Sequence, residues 1–470
     1  MSSTPSLKKN FAYKGLLTLA TPIMGMITFP YISRVLGVES VGLVNFVDNT
    51  ISYFLLFANM GIGTLGIRSI AAAKGDKAEL SKAFSNILGL NLMFTLAVLL
   101  VYNLLILAVP RFNECAELFY IGNAKILFSV LLIEWFYSGI ENFKYITIRT
   151  LAIRVFYLAS VFIFVRTSSD YKLYFILTTS TILVNSLINM IYSRKYVQVK
   201  VSELISFKYL KENISLGIYT IMTSMYLTFN VMYLGLVSDN VSVGYYTSAF
   251  KLYHLILSVF TAFTSVMLPR MSSLVTQGDH EKFQYFIRKS VDFVALVSIP
   301  LIVCCTIMTP EIINLLCGPG YEGAIMPMRI IMPAILPVGL AQILAIQILI
   351  PLKRDKVLLA ASIVGAVLSL IINVTLVSRL QSVGSALVLL CSEFAVTLFY
   401  LIYAHKHQIT KIPVRSFIMP VLKTIPCAVI CLLCQRFTSD LFLSLTLAVA
   451  FSLSVFAVLN VNQIKSLIKK

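Results

Sequence analysis

Long apolar runs alternate with short charged clusters along almost the whole chain. A helix needs roughly 20 apolar residues to cross the hydrocarbon core of a bilayer, and by that length the pattern predicts about fourteen spans. Their approximate bounds are 11–36, 41–67, 83–109, 118–142, 145–166, 173–193, 209–237, 243–269, 287–310, 325–351, 356–378, 383–404, 414–435 and 440–460. We therefore expect an all-α polytopic membrane protein.

The composition supports this class and excludes a large soluble domain. The chain of 470 residues is 58% hydrophobic and only 12% charged, whereas globular proteins average about 25% charged residues. Its 38 Lys and Arg against 20 Asp and Glu give a net charge of +18. A basic excess also occurs in nucleic-acid-binding proteins. Here the positions of the charges explain the excess without a nucleic acid.

The basic residues are concentrated in alternate loops. If the N-terminus lies in the cytoplasm, most Lys and Arg fall on the cytoplasmic side, as the positive-inside rule requires. This bias predicts an even number of spans and cytoplasmic N- and C-termini. The basic residues outside the cytoplasmic group are Arg34, Arg111, Lys125, Arg166, Lys172, Lys251, Arg329, Arg379 and Arg436.

An internal repeat divides the chain. The interval from Gly42 to Arg68 equals that from Gly244 to Arg270, and a Gly-Asp pair follows each Arg. Two halves that both start in the cytoplasm would be parallel repeats, a known transporter plan in which two lobes rock to give alternating access.

We accordingly predict two six-helix lobes followed by two extra helices. The predicted parts are an N-lobe (1–195, spans one to six), a basic cytoplasmic linker (196–208), a C-lobe (209–410, spans seven to twelve) and a C-terminal part (411–470) with the last two spans and a basic tail. The basic stretch 194–211 between the lobes is expected to lie on anionic lipid.

Five ionisable residues lie inside predicted spans: Asp48, Glu134, Lys251, His254 and Glu393. Such residues are costly in a membrane and mark substrate or ion pathways. Lys251 stands one residue past the repeat equivalent of Asp48, so an Asp48–Lys251 pair across the lobe interface is one hypothesis. A structural ion pair, or a charged group that reaches out to water, is the alternative. His254 either titrates near neutral pH or is a packing residue.

Some of the basic residues outside the cytoplasmic group suggest an anion-binding site. Arg34 ends the first span, and its guanidinium would suit a phosphate, as would the ammonium of Lys251. An anchor at the membrane interface is the alternative for each, and for Lys125 we prefer that interpretation.

Prolines that could interrupt helices lie in the first span (Pro22, Pro30) and are concentrated in the tenth (Pro327, Pro333, Pro337, Pro351).

Known catalytic and cofactor motifs are missing from the sequence. Gly61 to Gly66 spells G-x-G-x-x-G, but it ends an apolar helix rather than a strand, so close helix packing explains it better than a dinucleotide. Cys427, Cys431 and Cys434 share a helix face without metal-ligand spacing, and packing is expected for them too. With no P-loop, no H-E-x-x-H and no nucleophile elbow, we expect neither an enzyme nor ATP-driven transport.

Residues 10–76 resemble the start of bacterial polysaccharide (O-antigen) flippases, which belong to the multidrug/oligosaccharidyl-lipid/polysaccharide exporter superfamily. The motifs that carry the resemblance are Pro30-Tyr31-Ile32-Ser33-Arg34-Val35-Leu36-Gly37, Gly42, Tyr53-Phe54, Gly61-Ile62-Gly63, Gly66-Ile67-Arg68-Ser69-Ile70-Ala71 and Gly75-Asp76. The span count and the two-lobe plan extend the resemblance, with its MATE-like fold, over the whole chain.

The resemblance implies a function. Such flippases move an undecaprenyl-pyrophosphate-linked oligosaccharide from the cytoplasmic to the outer leaflet of the inner membrane through a cationic cavity. By analogy Arg34 and Lys251 would contact the headgroup, and Asp48, Glu134, His254 and Glu393 are candidates for coupling or gating. No cofactor or metal is expected, although H⁺ or Na⁺ could drive transport. We expect a monomer and leave open whether polysaccharide-assembly proteins bind it.

Three alternatives remain. A cation-coupled multidrug exporter of the superfamily often carries an acidic residue in the first span, whereas span 11–36 has none. A peptidoglycan lipid-precursor flippase would differ mainly in the glycan and in the cavity arginines. A membrane-embedded glycosyl transferase or polymerase would need a long extramembrane loop, and the sequence has none.

Overall fold

A computed structural model describes residues 7–461 apart from 411–412, 414 and 439, and all regular secondary structure in that part is helical. The chain divides into two compact units, Met1–Leu236 and Val237–Lys470. The residue contacts of segment 196–236 therefore place it in the first unit. The predicted lobe division at 195, 208 and 410 stays a prediction, and the predicted basic tail at 465–470 lies outside the described residues.

The first unit contains nine helices among its described residues, the last of which ends one residue into the second unit. They are α1 (Leu7–Asn59), α2 (Ile62–Ala72), α3 (Lys77–Ala108), α4 (Pro110–Glu114), α5 (Ala116–Ser129), α6 (Glu134–Gly139), α7 (Phe143–Phe164), α8 (Tyr171–Ser193) and α9 (Leu210–Val237).

The second unit contains nine further α-helices in its described part. They are α10 (Asn240–Gln277), α11 (His280–Ile307), α12 (Thr309–Cys317), α13 (Ile325–Ile331), α14 (Ile335–Gln342), α15 (Asp355–Ile372), α16 (Ser378–Lys406), α17 (Arg415–Phe437) and α18 (Leu441–Leu459).

The predicted number of spans agrees with the helices. Eleven helical stretches of the described residues are long and apolar enough to cross a membrane. Two of them contain a residue with non-helical backbone angles, Gly37 (φ 74°) and Gln381 (φ 49°), and each therefore comprises two helices. Adding α9, with 28 residues, brings the described part to about fourteen segments of spanning length. The predicted all-α membrane fold is confirmed.

Several spans are less regular than the hydropathy pattern predicted. The second span breaks at Met60, which has a φ of 32°, and the fourth breaks at Ile133, with a φ of 30°. The proline-rich tenth span contains a 3₁₀ turn at Met332–Ala334 and a π-helical stretch at Ile343–Leu349. Helix α1, in contrast, continues through both of its prolines and is interrupted only at Gly37.

The Gly-Asp pairs of the repeat have the same local role in both units. Gly75 and Gly278 adopt positive φ values of 119° and 71°, which end the preceding helical segment at little cost for a residue without Cβ. Asp76 and Asp279 then cap α3 and α11 by accepting backbone N–H groups of the first turn. Two hydrogen bonds from Lys282, the larger effect from its side chain and the smaller from its backbone N–H, hold the pKa of the Asp279 carboxyl below its usual value.

Two of the three glycines of the G-x-G-x-x-G stretch, Gly61 and Gly66, serve close packing as predicted, whereas Gly63 has open space around it. A Cβ on Gly61 would lie 2.6 Å from the backbone oxygen of Asn213 at the start of α9, and one on Gly66 would lie 2.6 Å from the indole of Trp135. Trp135 belongs to a buried core cluster that also contains Phe84 and Leu65. These contacts explain why a small residue is needed at both positions.

The linker between the predicted lobes is attached to α3. The backbone N–H of Gln198 donates to the Ser81 hydroxyl at 3.2 Å, and that of Lys200 donates to the Ser85 hydroxyl at 2.8 Å. The Asn86 amide donates to the Glu203 carboxylate at 3.3 Å. The linker thus packs on the first unit.

In the second unit, Cys427 and Cys431 are buried in the core beside α18, which confirms the packing interpretation of these thiols.

Candidate functional site

An ion pair joins α1 and α5 inside the first unit. The ammonium of Lys125 donates to a carboxylate oxygen of Asp48. The Lys125 side chain is 10% exposed and that of Asp48 is 37% exposed. The interpretation of Lys125 as an interfacial anchor is therefore wrong, because its charged end lies inside the bundle. The predicted pair of Asp48 with Lys251 stays a hypothesis.

Glu134 forms another ion pair of this unit in which the cation is buried. It begins α6, directly after the left-handed Ile133, and its carboxylate accepts from Nη2 of Arg149 on α7 at 2.7 Å. The Arg149 side chain is 4% exposed. Another Arg149 nitrogen donates to the Asn189 amide oxygen on α8. The guanidinium therefore connects α6, α7 and α8.

The role of Arg149 is not apparent from the basic residues of the sequence, among which Arg149 falls in the predicted cytoplasmic group. The residue stands inside the predicted span 145–166, and an arginine at such a position is costly unless it is paired. That signal was available, but it could not identify the partner, because Glu134 belongs to another span and faces Arg149 only after the chain turns at 140–142.

Aromatic residues surround the Arg149 guanidinium. Its carbon atom Cζ lies 5.7 Å from the centre of the Tyr145 ring, within the range of a cation–π contact. The Tyr145 ring stacks on Tyr192 with centroids 4.0 Å apart. The Tyr145 hydroxyl also donates to the Asn189 amide oxygen at 3.2 Å. This end of α7 and α8 is thus polar, aromatic and positively charged.

Arg34 occupies a different place in the first unit. It lies one turn before the backbone break at Gly37 and is exposed, and its Nη1 donates to the Pro30 carbonyl at 3.0 Å. That bond holds the guanidinium against its own helix. A guanidinium fork is suited in number and geometry of donors to a phosphate oxygen pair.

The predicted residues of the second unit lie on α10 and α16, two helices that pack together. Lys251 is half-buried, and His254 one turn later is exposed, its ring 6.0 Å from that of Phe250. Glu393 is 5% exposed. Among the residues that the structure describes, its carboxylate has no hydrogen-bond or ion-pair partner.

The six predicted residues thus fall into two sets, each described within its own unit. Asp48 and Glu134 each pair with a buried cation of the first unit, while Arg34 is exposed there. Lys251, His254 and Glu393 belong to the second. In the described ranges, no three His, Cys, Asp or Glu side chains come together as a metal site would require.

Comparison with known proteins supplies a family. The family model described as polysaccharide biosynthesis protein matches residues 7–275. A candidate O-antigen transporter of Escherichia coli strain K12 is 24% identical over 407 residues, which cover 86% of this chain and 98% of the relative. A second one, from Shigella dysenteriae, is 23% identical over 403 residues and covers 84% and 99%.

Solved structures share the fold. The lipid II flippase MurJ in an inward closed conformation superposes with a TM-score of 0.78 at 14% identity, covering 97% of this chain and 100% of that one. An inward-facing multidrug resistance MATE family transporter of the MOP superfamily gives 0.58 at 13% identity, with 84% and 98% covered. The predicted MATE-like architecture is confirmed by these similarities.

Proposed function

The chain belongs to the polysaccharide biosynthesis protein family, and from that membership we propose that it is a flippase for lipid-linked oligosaccharides. The family match covers more than half of the chain and agrees with the resemblance of residues 10–76. The observation that carries the proposal is the alignment with a candidate O-antigen transporter over 98% of that relative. The relatives bear the names of transporters, which agrees with the expectation that this chain is not an enzyme.

The proposed substrate is an undecaprenyl-pyrophosphate-linked oligosaccharide that crosses the bacterial inner membrane by alternating access. We assign headgroup contact to Arg34 and Lys251, since guanidinium and ammonium groups neutralise a pyrophosphate. The exposure of the Arg34 side chain supports this assignment. The N- and C-termini would be cytoplasmic, as the distribution of basic residues predicts.

Coupling or gating is proposed for the acidic residues and His254. Asp48 and Glu134 each hold a buried cation, so protonation of either carboxylate would release a charged partner inside the bundle. Glu393 is buried without a partner among the described residues, and it could bind a proton or a sodium ion without first breaking an ion pair. The coupling ion, H⁺ or Na⁺, is left open. No cofactor is invoked, and a monomer with anionic lipids around it is the simplest assembly.

A peptidoglycan lipid-precursor flippase is the second candidate. The superposition on the lipid II flippase, which covers 97% of this chain, favours it over a cation-coupled multidrug exporter. Both flippase reactions share the polyprenyl pyrophosphate and differ in the glycan. Only a functional assay separates them.

The test is complementation of a bacterial strain that lacks its O-antigen flippase, at matched expression. We expect the wild-type chain to restore surface polysaccharide and Arg34→Ala and Lys251→Ala to lose it. Arg166→Ala is the matched control, because Arg166 is also exposed and donates to a nearby backbone carbonyl, that of Ile163 at 3.0 Å. Rescue by both Arg34→Ala and Lys251→Ala would remove the site assignment. Rescue of a strain without its lipid II flippase, but not of this one, would replace the proposed substrate.

A further inference from the structure

A continuous groove runs between α7 and α8 within the first unit. Its wide end is a cavity of about 500 Å³ lined by Lys144, Tyr145, Arg149, Ile188 and Tyr192, among others. A narrower arm of about 280 Å³ continues from it. Ala152 and Ile153 line both parts, which makes them one groove.

Helical spacing gives the groove a polar end and an apolar end. On α7 the residues Lys144, Ile148, Ala152 and Phe156 follow one another at intervals of four and so share one helix face. The cations of α7 that line the groove stand in its first two turns, and the arm beyond them is lined by apolar side chains and small hydroxyl residues. The groove therefore has the polarity of an amphipathic molecule.

The wide end is suited to an anion. Lys144 is exposed, and Nζ of Lys195 lies 4.6 Å from the centre of the Tyr192 ring at the same end. Arg149 is buried, and its Nε is without a hydrogen-bond partner among the described residues although both terminal nitrogens are engaged. Against these three cations stands the Glu134 carboxylate, which is already bound to Arg149. The local charge is therefore positive.

From Arg149 to the far end of the arm, the groove has the length of one lipid leaflet. From Arg149 to Ser160 there are eleven helical steps, which at 1.5 Å each give about 17 Å. Half of a hydrocarbon core of about 30 Å is roughly 15 Å. The apolar side chains along this face are exposed, Phe156 by 75% and Ile148 by 54%. The stacked Tyr145 and Tyr192 lie at the charged end, as aromatic residues do at the level of lipid headgroups.

We propose that this groove binds one anionic glycerophospholipid from the leaflet in which α7 begins. The lipid phosphate would bind the exposed Lys144 beside the positively charged Arg149 guanidinium, and one acyl chain would lie along Ala152 and Phe156. The leaflet length of the groove from Arg149 onward favours a glycerophospholipid over a polyprenyl phosphate, whose chain spans far more than one leaflet. The site is independent of the proposed flippase activity, and it fits the principle that basic pockets between membrane helices hold anionic headgroups.

The test measures lipid retention by the purified full-length protein. The protein is incubated with equal amounts of phosphatidylglycerol and phosphatidylcholine, and bound lipid is identified by native mass spectrometry. We expect one phosphatidylglycerol to be held in preference to phosphatidylcholine. Lys144→Ala should weaken its retention about tenfold, as expected for loss of one charge-assisted contact. Ala152→Phe, which fills the junction of cavity and arm, should abolish it.

Lys172→Ala is the matched control, because Lys172 lies at the opposite end of α8 and is 47% exposed. It should retain lipid like the wild type. Equal retention of the two lipids, undiminished retention by Ala152→Phe, or the same loss in Lys172→Ala would each overturn the site. Displacement of phosphatidylglycerol by an equal concentration of undecaprenyl phosphate would overturn the assigned occupant. Thermal unfolding midpoints equal to the wild type would show that the variants are folded.

Discussion

The ion pair between Asp48 and Lys125 predicts an unequal response to the loss of its two partners. Lys125 is 10% exposed and Asp48 is 37% exposed. Removing the carboxylate leaves an ammonium that has no other described hydrogen-bond partner and little access to water. Removing the ammonium leaves a carboxylate that water can still reach. Asp48→Asn should therefore destabilise the protein more than Lys125→Met.

The burial of each side chain sets the size of the difference. Breaking a buried pair by removing one partner costs about 3–5 kcal/mol. Asn keeps one acceptor for the ammonium, so Asp48→Asn should cost about 2–3 kcal/mol. For Lys125→Met, solvent screening of the half-exposed carboxylate reduces the cost to about 1 kcal/mol. The double variant leaves no charge behind, and it should cost no more than about 1 kcal/mol.

The assay is the thermal unfolding midpoint of the four proteins, purified in one detergent and heated at one rate. In a domain of the size of the first unit, 1 kcal/mol corresponds to roughly 2–4 °C. We expect Asp48→Asn to unfold several degrees below Lys125→Met, and the double variant to recover most of that loss. A midpoint of Lys125→Met at or below that of Asp48→Asn would refute the argument from burial. If the unfolding midpoint of the double variant stays as low as that of Asp48→Asn, the two charges do not act as an isolated pair.

Three further changes test single features. Gly66→Ala should lower the free energy of unfolding by about 1–3 kcal/mol, and with it the unfolding midpoint, because its Cβ meets the Trp135 ring. Gly63→Ala, with open space around it, should be neutral or stabilising, and equal effects would contradict the packing argument. Asp76→Ala should cost about 1 kcal/mol through loss of the α3 cap, measured in the same way, and no change would mean that solvent replaces the cap. Glu393→Gln should leave the midpoint unchanged or raise it, because it removes a buried carboxylate without a described partner; a clear fall would reveal a partner for that charge.

The helix break at residues 60–61 is a feature that the hydropathy pattern does not predict. Hydropathy is continuous from 41 to 67, so the run predicts a single helix. The helix ends at Asn59 because Gly61 comes against the backbone of α9 at Asn213. That contact joins segments about 150 positions apart, and only the packed unit brings them together.

The sequence by itself determined the spans, the orientation signal and the ionisable residues inside the membrane, because these depend on the length and composition of local segments. It also showed the Gly-Asp pairs, whose backbone role is local. Only the tertiary structure decided that Asp48 holds Lys125 and that Glu134 holds Arg149. Those partners come from different helices, and the choice among several candidate charges depends on which helix faces pack together, a property that no local pattern contains.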